Sequence, residues 1–159
     1  MGMRVGALRI CLALMLALLV VPGYIVAPAL FAGAGSQALA GELAGTIFHI
    51  SLLSLLFLAA SVAAFWLRME AGRSRWVLLL LLSLLVAINA FALAPIMAEL
   101  KVQMGPIDLV AKEDPQRQLF GLYHGISAIL HLLSSFIAIA LVAIGPVRKG
   151  ENGDACHTL

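Results

Sequence analysis

Three of the four histidines in this chain, His49, His124 and His131, lie inside long apolar runs rather than in polar segments. An imidazole among hydrocarbon side chains needs a partner, so each is a place to look for chemistry. Neutral imidazole ligates haem iron, copper or zinc. A pair of histidines on facing helices is a common way for a bundle to hold such a cofactor. A histidine also relays protons near neutral pH. His124 and His131 are seven residues apart, so a helix would place them on one face, with Ser127 between them. Asn89, in another apolar run, is placed to reach the same layer.

These residues define two candidate sites. The first is a haem or copper site on His49 and His124. The second is a wider polar site of Asn89, Pro95, Tyr123, Gly125, Ser127 and His131. They also have a plainer use. Ser, Asn and His side chains hydrogen-bond between membrane helices, worth roughly 0.6–2 kcal/mol each. That structural use is the leading expectation, because few of the ligands a metal site needs are visible.

The elements that must position these residues follow from composition. Of 159 residues, 63% are hydrophobic and only 11% are charged, with a mean hydropathy of +1.08. A soluble domain of this size cannot bury so much apolar surface. The net charge of +2 gives no reason to invoke nucleic acid. A membrane helix needs about 20 apolar residues to cross about 30 Å of hydrocarbon. Four stretches qualify, at about 10–32, 43–67, 76–98 and 120–144, and none has a charged residue in its interior. The expected fold is therefore all-α: a four-transmembrane-helix bundle forming one domain over 1–149. A polar tail, 150–159, is expected to be disordered.

Charge placement sets the expected orientation. Arg4 and Arg9 precede the first span, Arg68, Arg73 and Arg75 separate the second and third, and Arg148 and Lys149 follow the fourth. Seven of the ten basic residues thus fall on one side, which the positive-inside rule assigns to the cytoplasm. Both termini are expected inside, in a bacterial inner (plasma) membrane. A signal peptide is the rival reading of the first span, since Ala38-Leu39-Ala40 has the small-x-small form. Its apolar stretch is too long for that, so an uncleaved span is expected. On the outer side, Asp114-Pro115 reads as an N-cap followed by proline at the first helical position.

The two halves of the chain resemble each other. Ala27-Pro28 answers to Ala94-Pro95, and Phe48-His49-Ile50-Ser51 to Tyr123-His124-Gly125-Ile126-Ser127 with one residue inserted. A tandem two-helix repeat of this kind is parallel, its axis along the membrane normal. Small-residue spacings, Gly41-x-x-x-Gly45 and Gly121-x-x-x-Gly125, favour close helix contact. No Ser-His-Asp arrangement, phosphate loop or intramembrane carboxylate appears, so an enzyme is not the favoured class.

Several stretches resemble a known family. These are Gly23 to Phe31, Ala40-Gly41-x-x-Ala44-Gly45, Asn89 to Pro95, and Phe120-Gly121-Leu122-Tyr123-His124-Gly125-Ile126-Ser127. Together they are similar to the transmembrane protein 205-like family, whose bacterial members fall under the domain of unknown function 4149. The resemblance implies a small four-span membrane protein of unestablished biochemistry. The human member's association with platinum-drug resistance hints at metal or drug handling. At His131 this chain departs from the family, which carries Asn there, so the resemblance supports His124, Asn89 and Pro95 instead.

Three functions remain in view. One is helix association or small-ligand binding in the outer half of the bundle, with a homo-oligomer or another membrane protein as partner. The second is haem or metal binding through His49 and His124. The third is transport of a small solute, metal or drug by an oligomer.

Overall fold

The computed structural model describes residues 2–69 and 71–145. The tail expected to be disordered lies outside them. Four long helices follow one another: α1 (Met3–Gly33), α2 (Gln37–Leu67), α3 (Arg73–Met104) and α4 (Pro115–Ile144). Each is long and apolar enough to cross a membrane, and no strand occurs among the described residues. The four-span helical fold expected from composition is the fold observed. Each helix exceeds its apolar stretch because lipid limits the apolar length, not the helix length.

The connections are capped by short-range chemistry. Ser36 starts α2 by accepting from the Leu39 N–H at 3.1 Å. Asp108, from the long loop between α3 and α4, joins it by accepting from the N–H groups of Gln37 and Ala38 at 3.2 and 3.1 Å. Asp114 caps α4, accepting from Gln116 and Arg117, with Pro115 at the first helical position as the sequence predicts. At the opposite end the Arg75 guanidinium donates to the carbonyls of Gly145 and Ile144, the C-terminal pole of α4.

Consecutive helices run antiparallel. α1 packs on α2 and α4, and α3 packs on α2 and α4, so the four form a ring in which the start of α1 and the end of α4 share one end. The core is a seam on each helix. It runs through Leu8, Leu12, Met15 and Leu19 on α1 and Leu52, Leu55, Ala59, Val62 and Trp66 on α2. It continues through Leu79, Leu82, Val86 and Ala90 on α3 and Ala138 and Leu141 on α4. Steps of three and four residues keep each seam on one face of its helix. The seam ends at the terminal end with Trp66 and Trp76, edge to face at 5.8 Å.

Both α1 and α3 contain a π-helical stretch, Val21–Val26 and Asn89–Leu93. Each immediately precedes an Ala-Pro pair. The proline lacks an N–H, and its ring crowds the carbonyl four residues earlier, so the helix widens there. The bonding register is the same in both. The Ala27 N–H donates to the Pro22 carbonyl, and the Ala94 N–H to the Asn89 carbonyl. Residue n of α1 therefore matches n + 67 of α3, and this pairs buried Leu12, Met15, Leu19 and Pro22 with buried Leu79, Leu82, Val86 and Asn89. The two halves share one local geometry.

Candidate functional site

The polar residues of the spans separate into a buried set and an exposed set. His131 on α4 is the most buried histidine among the described residues, 7% exposed. Its Nε2–H donates to the Leu19 carbonyl on α1 at 3.0 Å. The ring lies directly over Gly23, where an added Cβ would sit 2.4 Å from Nε2. The Phe48 ring meets it edge-on at 5.2 Å, and the Tyr24 ring lies 5.9 Å away. Tyr24 donates to the Ser135 hydroxyl at 3.3 Å, and Ser135 donates to the His131 carbonyl at 2.9 Å. With Nε2 donating, Nδ1 of the neutral ring holds a lone pair that finds no hydrogen-bond partner. His131 thus ties three helices together.

Buried Asn89 and half-buried Ser127 form a second pair. The Ser127 hydroxyl donates to Asn89 Oδ1 at 2.7 Å, and Asn89 Nδ2 donates to the Ser127 carbonyl at 3.3 Å. Asn89 opens the π stretch of α3, so this double bond fastens the widened turn to α4.

His49 and His124 are both exposed. Among the described residues no hydrogen bond or ring contact joins them, and α2 and α4 lie across the ring from each other. The residue before each, Phe48 and Tyr123, is partly buried, so both halves turn the aromatic inward and the histidine outward. His124 stacks on Phe120, with ring centroids 6.0 Å apart and planes 13° from parallel. Lys101 Nζ sits 5.6 Å from the centroid of the same Phe120 ring. Its ammonium donates to the Gly41 carbonyl at 2.9 Å and lies 3.7 Å from where a Gly45 Cβ would be. The Gly41-x-x-x-Gly45 spacing therefore cradles the lysine ammonium. Pro95 and Gly125 are exposed. No group of three or more His, Cys, Asp or Glu side chains is placed to hold a metal ion among the described residues.

The family model for Domain of unknown function (DUF4149) matches residues 10–106, more than half of the chain. The chain belongs to this family. The matched stretch takes in most of α1, all of α2 and all of α3, and so both π stretches and Asn89. The Phe120–Ser127 segment and His131 lie beyond it. No curated protein and no solved structure matches the chain.

Sequence reasoning missed Gly23, Phe48 and Tyr24 as partners of a histidine, and Lys101 as a partner of Gly41. The signal for the first was the Pro22-Gly23 pair inside an apolar span, which costs a helix stability unless something packs there.

Proposed function

We infer that this four-span protein works by association in the membrane, through the long-loop half of α4, with a second copy of itself. The observation that carries this reading is the exposure of that half. Every buried residue of α4 lies at or beyond His131, so residues 115–130 contribute none to the core. The same half presents Gly121, His124, Gly125 and Ala128 outward. An imidazole facing lipid is costly, and a covering helix removes that cost. Glycines four apart let two backbones approach closely. A two-fold-related copy brings the same face to meet itself.

Gly125→Leu and Gly121→Leu test the reading. A Cβ at either position meets nothing within 4 Å, so the single chain should fold unchanged. Association, read by energy transfer between labelled copies in liposomes, should weaken about tenfold or more, roughly 1.4 kcal/mol. Undiminished transfer would rule the face out.

A small-ligand reading is supported by a different observation, the Lys101–Phe120–His124 stack at the same end. A haem or copper ion would draw on His124, with His49 of the same chain or His124 of a second copy as its partner. Absorbance and metal analysis of protein expressed with ample haem and copper decide it. A spectrum free of haem and a metal-free protein would end this reading. For orientation we place both termini in the cytoplasm of a bacterial inner membrane, on the seven-charge bias. A fluorescent protein fused at the C-terminus should then be bright, and a dark fusion would reverse the orientation.

A further inference from the structure

At the end where α1 begins and α2 stops, a cavity of about 340 Å³ opens between the two helices. Arg4, Arg68 and Met69 belong to its helix-end side, and Phe65, Ala64 and Ser61 to its deeper side. Arg4 lies in the first turn of α1, and Arg68 follows the last residue of α2. Both side chains are exposed. Ser61, seven residues earlier on α2, lies about 10 Å deeper along the helix. Its hydroxyl donates to the Phe57 carbonyl at 3.0 Å, which satisfies it internally and leaves an apolar depth.

We propose that this cavity binds an anionic phospholipid, with Arg4 and Arg68 holding the phosphate and Phe65, Ala64 and Ser61 lining the start of an acyl chain. Two guanidiniums present planar donor forks suited to phosphate oxygens. The N–H groups of the first turn of α1 add positive potential beside Arg4. A basic pocket between membrane helices is the usual form of an anionic headgroup site. The cavity crosses from charged helix ends to apolar helix faces. A free phosphate would use only the first part, whereas a phospholipid uses both.

The test is thermal unfolding of the full chain in a neutral detergent, with phosphatidylglycerol, phosphatidylcholine or glycerol phosphate added. Phosphatidylglycerol should raise Tm by about 5 °C, and the other two by less than about 1 °C. The double variant R4Q/R68Q should keep the lipid-free Tm, since both side chains are exposed, and lose the phosphatidylglycerol shift. Lys112→Gln, a charge removed at the long-loop end, should retain it. An equal shift with phosphatidylcholine, or with glycerol phosphate, overturns the proposal. So does an undiminished shift in the double variant.

Discussion

Among the described glycines, Gly23 has the closest neighbour, the His131 ring, and the chemistry of the two is interdependent. The ring occupies the space a side chain at position 23 would fill. Gly23→Ala should therefore cost about 1–3 kcal/mol through overpacking. In a His131→Ala background the same change should cost far less. The difference, read from unfolding in mixed micelles, is the coupling between the two positions. Equal costs in both backgrounds would mean that the ring does not rest on Gly23. A similar cycle on Asn89→Ala and Ser127→Ala should give about 0.6–2 kcal/mol. The sequence makes these residues visible as polar groups in apolar runs, but it does not say which are inward. His124 and His131 share a face by spacing, yet only His131 is buried. A straight helix drifts by about 20° per heptad, and α4 carries its partly buried line through Phe120, Tyr123 and Ser127. His124 falls beside that line, so a seven-residue spacing alone misplaces it.

The helices themselves are legible because crossing a bilayer demands length and apolarity, and the runs between charged clusters supply both. Their inner faces are not, because the faces toward lipid are as apolar as those toward the core. Phe57, Leu80, Leu84 and Phe136 are exposed in the same helices that bury Leu55, Leu82 and Leu141. The π stretches were also hidden, although Pro28 and Pro95 marked their places. A π stretch absorbs one residue without turning the rest of the helix out of phase. Deleting Ala92, within Asn89–Leu93, should convert the stretch to ordinary helix and keep Lys101 on the Gly41 carbonyl. Deleting Ala87 in the preceding turn should rotate the long-loop part of α3 by about 100° and unseat Lys101. Monodispersity and thermal stability after extraction should survive the first deletion and fail in the second. Asp108→Ala should cost about 0.5–2 kcal/mol, since it strips two acceptors from the start of α2.

At the scale of the whole molecule, the ring of four helices is asymmetric along its length. The terminal half packs all four helices on a continuous seam, while at the long-loop end α4 contributes no buried residue. The two halves share their π geometry, but the polar bonds of Asn89 lie in the second half alone, where the first has Pro22. That asymmetry leaves one outward face bearing Gly121, His124, Gly125 and Ala128, for a second copy to cover. Oxidative cross-linking in native membranes tests this most directly, using Ala128→Cys in a chain with Cys11 and Cys156 replaced by Ser. Leu80→Cys, exposed on α3, is the control. A disulfide-linked pair of copies is expected at position 128, with little at position 80. Cross-linking at 128 no greater than at 80 would contradict association through this face.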